Sequence, residues 1–157
     1  MAQEHESFWN IISEMSACML VTTDEAVLRA RPLAPFIDKQ TQTIQFVTDD
    51  DSAKVEELLK HRKLCLTFSD TKKMQFASVS GYGEITQDRG LVDRLWGPYC
   101  DAFFPEGRDS VAVITVSTVQ AEYWDNDKGN LAMAYELTKA YFGDDGPDLG
   151  ENAKLTL

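Results

Sequence analysis

At 157 residues, 43% hydrophobic and 26% charged, the chain has the length and balance of one globular domain. Its formal net charge of −11 argues against nucleic acid and anionic membranes as partners, so any anionic ligand must be met by local positive charge. Cys18, Cys65 and Cys100 are odd in number and lack a C-x-x-C pair, and the only histidines are His5 and His61; neither a disulfide framework nor a histidine-rich metal site is expected.

Phe8, Ile11, Ile12 and Met15 fall at i, i+3, i+4 and i+7, which predicts a first helix with one apolar stripe. The acidic start, with Glu4 and Glu6, has no basic region and no long apolar run. It reads as neither signal peptide nor membrane span, and a cytoplasmic protein is the simplest expectation. Ala17 to Thr23 predicts a buried strand, and Leu28 to Phe36 its return after a turn at Thr23-Asp24-Glu25. Pro32 and Pro35 each remove a ladder donor, which places that return at a sheet edge or a bulge. Thr43 to Thr48 alternates, and Ser52 opens a short helix with Val55, Leu58 and Leu59 on its apolar side.

Leu64, Leu66 and Phe68 alternate in the next strand. Met74 to Thr86 reads as a long strand interrupted by Gly81 and Gly83, where a barrel strand could bend. Leu91, Leu95 and Trp96 predict a helix closed by Gly97-Pro98, and Val111 to Trp124 a last long strand. A hairpin-like turn is expected over Asn126 to Asn130. Residues 144–157 read as an acidic C-terminal tail, packed on the surface or partly disordered, which leaves 1–143 as the domain. Strands dominate, connections are short, and helices intervene too rarely for regular βαβ alternation. The expected class is mainly β with peripheral helices, an antiparallel barrel in preference to a doubly wound parallel sheet.

Four segments carry candidate chemistry. Arg29 and Arg31 lie two apart on one strand face, where paired guanidiniums could clamp a phosphate or a ring carbonyl, or equally pair with the plentiful carboxylates. Val47-Thr48 followed by Ser52-Ala53-Lys54 places a hydroxyl and an ammonium at a helix start, where free N–H groups suit a phosphate. The competing reading is a plain cap by Ser52 or Asp51, with Asp49 to Asp51 favouring the helix dipole. Gly81-Tyr82-Gly83 lacks the third glycine of a dinucleotide fingerprint and belongs to strand bending. Tyr123-Trp124 ends a strand with an indole that either meets a planar ligand or fills the core. No nucleophile–base pair and no metal-ligand set is legible, so any chemistry would be supplied by a cofactor.

In order and spacing, these segments resemble the pyridoxamine 5′-phosphate oxidase-like FMN-binding split barrels, in particular the general stress protein subgroup. The resemblance rests on Arg31-Pro32-Leu33, Phe46-Val47-Thr48, Ser52-Ala53-Lys54, Ser78-Val79-Ser80-Gly81, Leu95-Trp96-Gly97-Pro98 and Glu122-Tyr123-Trp124. It implies a split antiparallel β-barrel of the FMN-binding type and a homodimer with FMN at the interface. Arg31, Pro32, Leu33, Val47 and Thr48 would then line the isoalloxazine and ribityl chain, Ser52 and Lys54 would hold the phosphate, and Gln75 would touch the ring. Trp124 would approach from the second subunit. Ala53 stands where the oxidases have a basic residue, which implies weaker phosphate binding.

The resemblance further implies a flavin-dependent oxidoreductase, with NADH or NADPH as the electron donor; the alternative is a non-catalytic flavin-binding, storage or stress protein. A different flavin-like cofactor, such as a deazaflavin, is a third reading. The vitamin-B6 oxidases carry an Arg-x-His-x-Arg run after the tryptophan. Here Asp125 to Leu131 reads DNDKGNL, so pyridoxamine-phosphate oxidase activity is not expected.

Overall fold

The computed structural model describes residues 2–126, 129–143 and 145–157, with side chains at 129–131 left aside. Helix α1 (Ala2–Ser13) comes first, followed by strands β1 (Cys18–Thr23), β2 (Leu28–Leu33), β3 (Phe36–Asp38) and β4 (Thr43–Asp49). Helix α2 (Ala53–His61) leads into β5 (Lys63–Asp70) and β6 (Gln75–Thr86). Two short helices, α3 (Arg89–Leu95) and α4 (Pro98–Phe103), precede β7 (Val111–Asp125). Helix α5 (Gly129–Phe142) and strand β8 (Glu151–Thr156) complete the chain.

All strand pairs are antiparallel, in the order β2-β1-β5-β6-β7-β4-β3, with β8 added to β7. The two ends of that order, β2 and β3, are joined by only Ala34 and Pro35, so covalent connection draws the ends together and the sheet must curl. The long β7 pairs with β6 along its length; its other edge is shared by β4 over Val111–Thr115 and by β8 over Gln120–Asp125. The result is a split antiparallel β-barrel with peripheral helices, the expected class.

Burial follows the sequence pattern. Phe8 and Ile12 of α1 are fully buried, with Ile11 and Trp9 beside them, and they pack against Leu20, Phe46, Leu66, Phe68 and Tyr123 of the sheet. A second cluster of Val47, Val92, Cys100, Phe104, Val111 and Val113 fastens α3 and α4 to the β4–β7 end of the sheet. The bend expected in β6 is a register shift between Ser80 and Gly81. A Cβ on Gly81 would lie 2.2 Å from the Ser117 carbonyl oxygen, so this close strand approach admits only glycine.

Several elements differ from expectation. The return strand stops at Leu33, and the chain resumes as β3 at Phe36; Pro32 does sit on an edge strand. The turn expected over Asn126 to Asn130 falls partly on residues 127 and 128, outside the described residues, while Gly129 already belongs to α5. The tail is not confined to the surface, because β8 places Ala153 and Leu155 in the core. Gly150, at φ +98°, admits the chain to that strand, where a Cβ would lie 2.1 Å from the Asp125 carbonyl oxygen. No helix among the described residues is long and apolar enough to cross a membrane.

Candidate functional site

The strand-to-helix turn between β4 and α2 is the centre of the candidate site. Thr48 is buried at the end of β4, where pairing with Ala112 holds it, and Val47 is locked into the second apolar cluster. Ser52 occupies the N-cap position of α2 with extended backbone angles, and its carbonyl accepts from the Val55 and Glu56 amides. Its side chain makes no capping bond; Oγ is buried and without a partner among the described residues. The Ala53 and Lys54 amides likewise have no protein acceptor there. The first turn therefore presents two N–H groups and a hydroxyl that are not used by the fold, and a buried donor left so costs about 1–3 kcal/mol unless something meets it.

Lys54 stands beside these donors. It forms no ion pair or hydrogen bond among the described residues. Burial pushes its ammonium pKa down, and the positive charge of Arg31 pushes it the same way, against the pull of Asp49, Asp51 and Glu57. A partly desolvated ammonium crowded by a guanidinium gains from an added anion.

The turn opens on a cleft of about 430 Å³, lined by Pro32 and Leu33 of β2, Val47, Thr48 and Asp49 of β4, Lys54 of α2, and the aromatic Tyr99, Phe103 and Phe104. Tyr99 and Phe103 stack at 4.5 Å between centroids with 28° between planes, and Phe103 remains 64% exposed. The edge of Phe36 meets Tyr99 at 6.2 Å, and the buried Cys100 and Phe104 anchor α4, so the aromatic wall is held from behind. The lining joins one ammonium, Lys54, and one carboxylate, Asp49, to a largely apolar and aromatic surface. A planar molecule carrying an anionic group fits that arrangement.

The structure thus brings Pro32, Leu33, Val47, Thr48 and Lys54 to one cleft, with Ser52 at its helix start. Arg31 is not among the residues that line the cleft, and most of its donors are already engaged. Its Nη2 donates to Glu57 Oε2 at 2.9 Å, and its Nη1 to the Thr22 hydroxyl and, at 3.2 Å, to the Arg29 carbonyl. Arg29 Nη1 meets the other oxygen of Glu57 at 2.8 Å, and the Thr22 hydroxyl donates to Oε2. Burial of Glu57 raises its carboxyl pKa, but Thr22, Arg31 and Arg29 outweigh this and hold it below the ordinary value.

Gln75 and Trp124 are remote. They lie at the far end of the β6–β7 ribbon, where Gln75 Nε2 donates to Asp125 Oδ1 at 2.8 Å and Trp124 is 40% exposed. Ala112, opposite Thr48, and Trp124 stand twelve residues apart on β7, and neither Gln75 nor Trp124 lines the cleft. A single copy does not unite them with the cleft. Sequence reasoning missed the wall of Tyr99 and Phe103; Gly97-Pro98 marked a helix boundary, but no local signal said that a six-residue helix would face this turn. A separate cleft of about 620 Å³, between α1 and the β3–β4 turn, contains none of the candidate residues. Among the described residues no cluster of His, Cys, Asp and Glu could hold a metal ion.

A split barrel with an anion-ready strand-to-helix turn beside a flat apolar wall defines a class of small-molecule-binding β-barrels. The chain belongs to the family described as pyridoxamine 5′-phosphate oxidase like, which it matches over residues 3–148. Among solved structures it is similar to a protein from Jannaschia sp. CCS1 named as a general stress protein 26, at 26% identity and a TM-score of 0.78, with 100% of each chain covered. It is also similar to the general stress FMN/FAD binding protein of Xanthomonas citri, at 28% identity and a TM-score of 0.72, over 83% of this chain and 94% of that one. A protein from Clostridium acetobutylicum related to general stress protein 26 shares the fold at 16% identity and a TM-score of 0.73, over 99% and 95% of the two chains. No curated protein matched.

Proposed function

We propose that this protein binds FMN in the cleft between β4, α2 and α4 and serves as a flavin-dependent oxidoreductase of the general stress protein type. The observation that carries the reading is Ser52: a buried, unpartnered hydroxyl at a helix start whose next two amides are also free, with the unpaired Lys54 ammonium beside it. Those groups suit a phosphate, and the aromatic wall with Pro32 and Leu33 suits a tricyclic ring. The X. citri relative is named for binding FMN or FAD, which supports the flavin class.

Bound flavin would supply hydride and electron transfer; the protein's own residues would bind, orient and shield it. Val47 and Thr48 form the base on which the ligand rests, while Ser52 and Lys54 fix its anionic end. Gln75 and Trp124 would complete the site from a second copy, since neither lines the cleft of its own chain. We therefore propose a homodimer with paired sites and a cytoplasmic location, with NADH or NADPH as electron donor.

Release of any bound ligand by denaturation, followed by mass and absorbance measurement, tests the flavin reading and separates FMN from FAD and from a deazaflavin. Bleaching of the bound flavin by NADH or NADPH, with turnover, separates the oxidoreductase from a protein that only holds flavin. The stretch after Trp124, with no arginine or histidine up to Leu131, speaks against vitamin-B6 oxidation under either reading.

A further inference from the structure

We propose that Glu57 is a built-in competitor for the ligand's phosphate, and that it sets how strongly the site discriminates phosphorylated from unphosphorylated flavin. The inference rests on assigning the Ser52–Lys54 turn to a phosphate. Glu57 lies on α2 nearly one turn beyond Lys54, is 7% exposed, and is bound by Arg29 at 2.8 Å, Arg31 at 2.9 Å and the Thr22 hydroxyl. Arg29 and Arg31 therefore share one internal carboxylate, while Lys54, three residues earlier on the same helix, has no direct contact to an anion and feels Asp49 and Asp51 ahead of Glu57.

The donor count sharpens the point. A guanidinium has five N–H groups. Arg31 directs three at Thr22, the Arg29 carbonyl and Glu57, which leaves Nε and one hydrogen of Nη2. An incoming phosphate takes those remaining donors or displaces Glu57. In either case it faces the Glu57 charge across the same guanidinium. Lys54 and Glu57 stand three apart on α2, neighbours on one helix face, so the carboxylate is felt at the phosphate turn as well, in addition to Asp49 and Asp51. Removing its charge while keeping its shape leaves Arg29 and Arg31 without their shared carboxylate, so an anionic ligand gains.

Arg29 supplies the opposite control. It is 49% exposed, holds Glu57 at 2.8 Å, and lines a separate cleft with it. Without it, the carboxylate keeps only Arg31 as an ion-pair partner and the local positive charge falls by one. The two changes should therefore move phosphate affinity in opposite directions, whereas a merely structural role for the cluster would weaken binding in both.

The experiment measures FMN and riboflavin affinity by flavin fluorescence titration, at one salt concentration, for wild type, Glu57→Gln and Arg29→Ala. Melting shifts with inorganic phosphate are recorded in parallel. The expected result is FMN binding about tenfold tighter in Glu57→Gln and several-fold weaker in Arg29→Ala, with riboflavin nearly unchanged in both. Weaker FMN binding in Glu57→Gln, or parallel changes for the two flavins, overturns the proposal. If Glu57→Gln does not fold, Arg29→Ala decides alone, and an unchanged FMN affinity there overturns it. If wild type takes no flavin, the flavin reading fails by itself. The phosphate melting shifts still test Glu57: the order Glu57→Gln above wild type above Arg29→Ala supports it, and any other order or no shift removes it.

Discussion

The Tyr123 hydroxyl donates to Glu151 Oε1 at 2.6 Å, tying the fully buried end of β7 to the first residue of β8. Burial and the neighbouring carboxylate push the phenol up to about 12. An acid whose pKa is higher folded than unfolded contributes stability that is complete below its unfolded value, near 10, and is lost as pH rises toward the folded one. Wild type should therefore lose about 2–3 kcal/mol between pH 10 and about 12 through this residue, relative to Tyr123→Phe. At neutral pH the same substitution should cost about 1–2 kcal/mol. Urea unfolding across the alkaline range checks both; identical pH dependence in the two proteins would refute the linkage.

Lys54→Ala should weaken FMN binding about ten- to hundredfold, the equivalent of a charge-assisted contact of roughly 1.5–3 kcal/mol. Riboflavin, which has no phosphate, should be affected far less. Titration of both ligands separates this from an ordinary surface lysine. Equal losses for the two would end the phosphate assignment, and no loss for either would return Lys54 to a role in solvation.

If each flavin site takes Lys54 from one copy and Trp124 from the other, defects in the two residues complement. Lys54→Ala and Trp124→Ala proteins should each bind FMN weakly. Unfolding and refolding them as an equal mixture should restore about a quarter of the sites to tight binding, because half the random dimers carry one intact site of two. Sedimentation should show a dimer at micromolar concentration. A monomer with FMN saturating, or a mixture no better than its parents, would contradict the shared site.

Conversion of pyridoxamine phosphate should not exceed the rate of free FMN. A phosphorylated amine needs cations to orient it, and DNDKGNL after Trp124 carries a single lysine. Chromatographic detection of pyridoxal phosphate is the check, and production well above the free-flavin rate would overturn it.

Local pattern made much of the fold legible. The stripe of Phe8, Ile11 and Ile12 declares a helix because its period is 3.6, and Leu64, Leu66 and Phe68 a strand because theirs is two. Gly81 could be read as a bend, although the reason, a Ser117 carbonyl in contact range, belongs to another strand. Helix α5 was missed because it has no stripe: Tyr135, Leu137, Tyr141 and Phe142 are all exposed, so apolar residues occur around the cylinder instead of on one face. Strand β8 was missed although Ala153 and Leu155 alternate, because the acidic, glycine- and proline-bearing run before it reads as a tail.

The sequence by itself determined the Ser52–Lys54 turn, since strand end, hydroxyl, helix start and lysine are neighbours along the chain and need no distant partner to be brought together. Only the tertiary structure decided which cations there are spent. Arg31 and Lys54 look equally available as residues, yet Glu57, 26 positions from Arg31, holds the guanidinium while the ammonium has no such contact. The same holds for Tyr99 and Phe103, which reach the cleft because Cys100 and Phe104 fasten their helix to β4 and β7. Ion pairing and ring stacking depend on separations of a few ångströms, and separations between distant segments are set by strand register and packing, which no local pattern encodes.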